Sequence, residues 1–236
     1  MLEYLGFVGG FAIATVLSLL GAAFLLLLPH EHAPLHRSEK ASWSLAFSSG
    51  LADLYISTIL RQMAIHGAFS LLAVYMALVG IPPRFIGLVS AMNTGTQVVA
   101  LLFFGRLADR VGRRRVFMLG FALSTLTPCL FALSSHIGMM IAGYVTLGLS
   151  FSSLYIGSAA YIGDRVPASR QGTMMGLYET SRGLGGVLGP LVAGSITPLV
   201  GYRRMFLVMG GIAALGFLLM LLRRRDRIAE EAARTA

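Results

Sequence analysis

Charged residues are scarce in this sequence. Only 12% of the 236 residues are Asp, Glu, Lys or Arg, whereas 56% are hydrophobic, and the mean hydropathy is +0.76. Soluble domains carry about 25% charged residues, so this composition excludes an ordinary soluble domain and indicates a membrane protein. Cysteine is nearly absent as well. The single Cys129 lies in an apolar run, which excludes a disulfide framework and a cysteine-based zinc site.

Long uncharged runs predict the architecture, because about 20 such residues cross the bilayer as a helix. Seven runs are present, at residues 4–28, 62–82, 85–104, two within 116–163 that are divided near Ser134, 172–199 and 205–222. The first run exceeds the apolar core of a signal peptide, about 7 to 15 residues, so we expect a membrane helix there too. We predict an all-α integral membrane protein of about seven transmembrane helices. Its parts are a helix (1–28), a cytoplasmic central loop (29–60), a six-helix unit (61–223) and a cytoplasmic tail (224–236).

The arginines lie mainly on one side of the predicted membrane. Most of them lie in the first connection, to which we assign Arg61, in the connections at 106–115 and 165–170, and in the tail. Only Arg84, Arg203 and Arg204 face the other side. The positive-inside rule therefore predicts a multi-pass protein of the cell membrane with a cytoplasmic C-terminus. The net charge of +9 reflects this topology. Because no aromatic platform or soluble domain accompanies the arginines, we expect no nucleic-acid partner.

Three histidines gather in the long connection, at His30, His32 and His36 beside Glu31. Neutral imidazoles at this spacing can hold a divalent metal, but nothing completes the coordination sphere. We interpret the segment as a hydrated linker and expect neither a metal nor a cofactor.

The densest charge cluster stands in the connection after the third run, as Gly105-Arg-Leu-Ala-Asp109-Arg110-Val-Gly112-Arg113-Arg114. We expect Gly105 at a helix end to permit close approach of a neighbouring helix, and Gly112 to allow the chain to reverse. Asp109 is the single anion among these arginines and can pair with a cation or accept from a helix N-terminus.

This spacing resembles the G-x-x-x-D-R-x-G-R-R signature of the major facilitator superfamily of secondary transporters, which lies between the second and third helices of each six-helix half. The resemblance implies that Gly105, Asp109, Arg110, Gly112, Arg113 and Arg114 form a gating loop, which stabilises the outward-open arrangement through charge pairing. A later motif position that is often basic is Val116 here, so one contact of the family pattern is absent.

A second motif lies on the sixth run, with glycine or proline at Gly176, Gly185, Gly189, Pro190 and Gly194. The pattern resembles the glycine-proline motif of drug/proton antiporters in the same superfamily. Gly185 and Gly189 give a small-x-x-x-small face for close helix packing, and Pro190 removes a backbone hydrogen bond and can bend the helix. An ordinary tight helix contact is the alternative interpretation.

The resemblance also indicates which part of a transporter is present. The fourth helix of a first half usually carries an arginine, whereas this chain has Tyr144 in the corresponding place. The best fit is the last helix of a first half, followed by the complete second half. A lone second half supplies one wall of the substrate cavity. A missing N-terminal half, a second copy and a fragment of a longer gene all remain open.

Charged and amide side chains inside membrane helices are functional candidates by default. Glu179 and Arg182 are one turn apart on the sixth run and either pair structurally or form a substrate or proton-coupling site. Asn93 and Gln97 share one face of the third run, and His66 lies in the second. We treat these five residues as substrate or proton-coupling candidates.

The resemblance implies a proton-coupled secondary transporter that exports small or drug-like molecules by alternating access. Its partners would be a small-molecule substrate, protons and the lipid bilayer. The alternative is a non-transporting membrane partner that serves assembly or regulation. We do not expect an enzyme, because no Ser/His or paired-carboxylate arrangement lies in the predicted spans.

Overall fold

The computed structural model describes residues 2–26 and 50–235, and every regular element within these ranges is a helix. The helices are α1 (Leu2–Leu26), α2 (Ala52–Leu78), α3 (Pro83–Val111), α4 (Arg113–Leu133), α5 (Ile137–Gly163), α6 (Ala168–Val200) and α7 (Tyr202–Thr235). The predicted all-α class is confirmed, and the described residues form seven helices. The histidines at 30–36 lie outside the described residues.

Within the described ranges six helices are long and apolar enough to cross a membrane, namely α2 to α6 and residues 202–222 of α7. In α1 the described apolar segment, Phe11–Phe24, is shorter. Its side chains are exposed, and the hydroxyls of Thr15 and Ser18 donate to the carbonyls of Phe11 and Ala14. Helix α1 belongs to a compact unit of its own.

One predicted boundary is wrong. Helix α2 begins at Ala52, not near Gln62, so the boundary that we placed between residues 60 and 61 falls inside a helix. Arg61 lies within α2 and is 5% exposed, instead of lying in the connection before it. The error arises because we ended the apolar run at a charge, whereas this charge is buried among protein groups.

The six helices α2 to α7 form two groups of three, α2–α4 and α5–α7, with related packing. Helix α2 packs against α6 and α7, and correspondingly α5 packs against α3 and α4; α4 and α7 also contact each other. The first helix of each group therefore packs against the second and third helices of the other group. Internal repeats of this kind are typical of secondary transporters.

Close backbone contact joins α2 to α6. A Cβ atom at Gly185 would lie 2.5 Å from the carbonyl oxygen of Ile59, and one at Gly189 would meet the carbonyl oxygen of Met63 and the Gly67 nitrogen. In turn, a Cβ atom at Gly67 would lie 2.8 Å from the Gly189 carbonyl oxygen. The sequence motif thus contains two packing glycines.

The other members of the glycine motif behave differently. A Cβ built at Gly176 or Gly194 would have no atom of another described helix within 4 Å. Pro190 lies inside α6, which continues without interruption to Val200. The close contact is therefore confined to the middle of the motif.

Single glycines form two of the turns. Gly112, at φ 93°, is the whole connection between α3 and α4, and Gly201, at φ 79°, is the whole connection between α6 and α7. Residues other than glycine rarely adopt such backbone angles, which explains why both turns are glycines. Gly105 lies inside α3, so our expectation that it ends a helix is wrong.

We expect Gly189→Ala to lower the thermal unfolding midpoint of the detergent-purified protein. The added methyl group would meet backbone atoms of Met63 and Gly67 that cannot rotate away, at a typical overpacking cost of about 1–3 kcal/mol. Gly176→Ala is the matched control on the same helix, where alanine is favoured over glycine by about 1 kcal/mol. Equal midpoints for the two variants would contradict the close α2–α6 contact.

We expect Gly112→Ala to destabilise the fold and Gly105→Ala to leave it unchanged or improve it. An alanine at the Gly112 angles costs about 1–3 kcal/mol, whereas position 105 is helical with open space around it. The measurement is the fraction of monodisperse protein that survives heating, by size-exclusion chromatography. A greater loss at position 105 than at 112 would reverse our assignment of the two glycines.

Candidate functional site

A small cavity lies between α2, α5 and α6. Its volume is about 30 Å³, and its polar lining consists of Arg61, Tyr155, Ser158, Tyr178, Glu179 and Arg182. This volume holds about two water molecules. At about 1.5 Å per residue, Arg61 lies roughly 14 Å from the start of α2 and Glu179 roughly 17 Å from the start of α6. The cavity is therefore well inside both spans.

Glu179 and Arg182 form an ion pair along α6. The Arg182 Nη1 donates to both carboxylate oxygens, at 2.9 and 2.8 Å. The Glu179 side chain is 52% exposed and the Arg182 side chain is 27% exposed. The Arg182 guanidinium also lies over the Phe151 ring, 5.7 Å from its centroid. The predicted proximity of the two residues is present, and the pair faces open space on one side.

Arg61 reaches the same cavity from α2, and its hydrogen bonds go to neutral groups. Its Nε donates to Ser124 Oγ at 2.9 Å, and its Nη1 donates to Gln62 Oε1. Ser124 Oγ lies 2.6 Å from Ser150 Oγ, and both hydroxyls reach the Gly120 carbonyl. Arg61 thus joins three helices through one polar cluster.

Sequence reasoning missed Arg61 as a site residue because it was assigned to a connection. A usable signal exists. Residues 52–60 continue the apolar pattern of the span with Asp53 as their only charge, so Arg61 follows more than two helical turns of membrane-compatible sequence. Counting the run through Asp53 would have placed Arg61 inside the span.

Asn93 and Gln97 lie outside this cavity. Gln97 Nε2 donates to Asn93 Oδ1 at 3.1 Å, so the amides bond each other along α3. The backbone of the same stretch packs on α5, where Ser152 Oγ donates to the Gln97 carbonyl and a Cβ at Gly148 would lie 2.7 Å from the Asn93 carbonyl oxygen. The structure gives these residues a contact between helices and does not bring them to Glu179.

His66 is also separate from the cavity. Its Nδ1 lies 3.2 Å from the Gln62 carbonyl, one turn earlier on α2, and its ring faces Gly186 of α6. Tyr144 is buried and its hydroxyl lies 3.0 Å from Ser90 Oγ. His66 therefore bonds within its own helix, whereas the Tyr144 hydroxyl links α5 to α3.

The gating-loop residues surround the one-residue turn at Gly112. Asp109, Arg110 and Arg113 are exposed and Arg114 is half-buried. Among the described residues Asp109 makes no ion pair, so the pairing that we expected within this chain is not formed there.

Within the same part of the chain, no group of three His, Cys, Asp or Glu side chains is placed to hold a metal ion.

Comparison with known proteins identifies the family. Residues 54–236 match the family model of the Major Facilitator Superfamily. The chain is 24% identical over 173 residues to the quinolone resistance protein NorA of Staphylococcus aureus, covering 73% of this chain and 44% of the relative. It is 34% identical over 119 residues to the methylenomycin A resistance protein of Bacillus subtilis, covering 48% and 25%.

A riboflavin transporter, RibZ of Clostridioides difficile, is 28% identical over 108 residues, covering 46% of this chain and 24% of the relative. The chain spans less than half the length of these curated relatives. The resemblance carried by the 105–114 motif is confirmed, as is the expectation that the chain is not an enzyme. The family model covers most of the chain, and this multi-pass membrane protein therefore belongs to the major facilitator superfamily of transporters.

Proposed function

We propose that the chain is one half of a secondary active transporter that exports small or drug-like molecules in exchange for protons. The observation that carries the proposal is the Glu179–Arg182 ion pair, which lines a cavity inside a membrane span. Ionisable residues at such positions mark substrate and proton pathways. We place the protein in the cell membrane with its C-terminus in the cytoplasm, as the distribution of arginines favours.

The printed names of the relatives support the class of substrate. Two are resistance proteins, for quinolones and for methylenomycin A, and one is a riboflavin transporter. Each of these names refers to a small organic molecule. We therefore propose a small organic substrate for this chain.

The ion pair offers a mechanism of coupling. With Glu179 ionised, both of its oxygens hold Arg182. Protonation of the carboxylate removes the charge that holds the guanidinium, so Arg182 is released to face the cavity. A proton on Glu179 and a substrate at Arg182 would then affect each other's binding, and such linkage is what proton-coupled transport requires.

The chain needs a second half to complete the pathway. Substrate sites in this type of fold lie between two halves that rock against each other. The apolar spans of α3 and α6 are only 11% and 17% buried, compared with 39–56% for the other four. We propose that these two helices contact the other half, supplied by another part of a longer chain, by a separate N-terminal half or by a second copy.

A membrane protein that serves assembly or regulation without transport is the second candidate. Among the described residues Asp109 of the gating-loop motif makes no ion pair, and the absence of this charge pairing within that part of the chain favours a role without gating.

Reconstitution into liposomes separates the two candidates. We expect the chain with its second half, as a dimer or with a co-expressed N-terminal half, to move an ethidium-type dye or riboflavin when a pH gradient is imposed. The measurement is fluorescence in dye-loaded vesicles, with a proton ionophore as the control. A stable complex without gradient-dependent flux of either compound would support the assembly role instead.

Replacement of the carboxylate tests coupling. In the same vesicles we expect Glu179→Gln to reduce gradient-driven flux at least tenfold while the thermal midpoint changes little, because the pair is half-exposed and such pairs contribute about 0–1 kcal/mol. Asp164→Asn, at the exposed C-cap of α5, is the matched control. Unchanged flux with a lowered midpoint would assign the pair a structural role.

A further inference from the structure

The buried cation Arg61 is the feature of the cavity that the ion pair does not explain. It is 5% exposed within a membrane-spanning helix, and Ser124 and Gln62, which accept its hydrogen bonds, are neutral. Within the described part of the chain it forms no ion pair. A buried charge is costly unless an opposite charge compensates it, so the site is one anion short.

The charges that line the cavity determine the sign of the ligand that would balance them. Arg61 and Arg182 contribute two positive charges, and Glu179 contributes one negative charge that both of its oxygens already commit to Arg182. Tyr155, Ser158 and Tyr178 add neutral hydroxyl groups. The lining therefore carries one net positive charge in surroundings that screen it poorly.

Size and shape limit the ligand. A volume of about 30 Å³ accepts a group the size of two water molecules, which fits a carboxylate and excludes a drug-sized body. Two stacked rings, Phe151 and Tyr155, lie on the α5 side with their centroids 6.4 Å apart, and Tyr155 is exposed. An aromatic body attached to the carboxylate would rest on these rings.

We propose that Arg61 binds the carboxylate of an aromatic acid, and that aromatic acids are among the substrates of this protein. Guanidinium and carboxylate match in geometry as well as charge. That such acids are transported rests on the proposed function above, whereas their binding at Arg61 does not.

Binding is tested on the detergent-purified full chain in a chloride-free buffer, with benzoate as the probe and benzamide as its uncharged analogue. At ten times its dissociation constant, benzoate should raise the thermal midpoint by about 3 °C, and benzamide should have no effect. Equal shifts from both compounds, or no shift from benzoate, would overturn the proposal. Sodium chloride tests the other source of a small anion. A chloride shift that benzoate does not increase would make this an inorganic anion site and overturn it too.

Variants assign the effect to the cavity. Arg61→Gln should abolish the benzoate shift, whereas Arg84→Gln, at an exposed arginine outside the cavity, should retain it. Glu179→Gln leaves Arg61 intact and removes the one negative charge, so benzoate should bind severalfold more tightly. This second variant keeps the test decisive if Arg61→Gln fails to fold. Weaker binding in Glu179→Gln would overturn the proposal.

The vesicle assay separates this proposal from the proposed function. Arg61-dependent benzoate binding without flux of any compound would leave the site standing and reject transport. Gradient-driven flux of riboflavin by a protein that does not bind benzoate would leave transport standing and reject the site.

Discussion

The contact between the backbones of α2 and α6 determines where the charged groups of this protein meet. At Gly185 and Gly189 no side chain separates the helices, and residues 59–67 of α2 lie directly against them. Arg61 belongs to that stretch, and Arg182 is one turn before Gly185. The approach of the helices therefore brings a cation from each to one cavity, and the glycines act on the site without touching a ligand.

Polar side chains provide a second kind of contact between the helices. Ser153 Oγ donates to the Val116 carbonyl, Ser152 Oγ donates to the Gln97 carbonyl at 3.1 Å, and Ser150 shares the Gly120 carbonyl with Ser124. In a membrane the apolar surface of a helix gains little by leaving lipid, so close packing and such hydrogen bonds carry more of the association. These bonds hold α5 against α3 and α4, and α5 supplies the aromatic wall of the cavity.

Much of this architecture could be predicted from the sequence, because its signals are local. Uncharged runs gave the number of helices, the i, i+3 spacing predicted that Glu179 and Arg182 lie together, and the two central glycines of the motif predicted close packing. Arg61 was misplaced because a charge in an apolar run is ambiguous until its partners are known, and one of those partners, Ser124, lies on another helix. The extent of α3 was misjudged for a related reason. Arg106 and Arg110 look like loop residues but are compatible with a helix that continues to the membrane surface.

The two single-glycine connections occupy equivalent places in the two groups of helices. Gly112 and Gly201 join the second and third helices of the two groups. Three helices separate them, so they lie on opposite faces of the membrane. A loop of many residues absorbs a tilt of one helix before it reaches the next, but a joint of one residue has only two torsion angles in which to do so. A change in the tilt of α3 must therefore be accompanied by a change in the orientation of α4, and the same holds for α6 and α7.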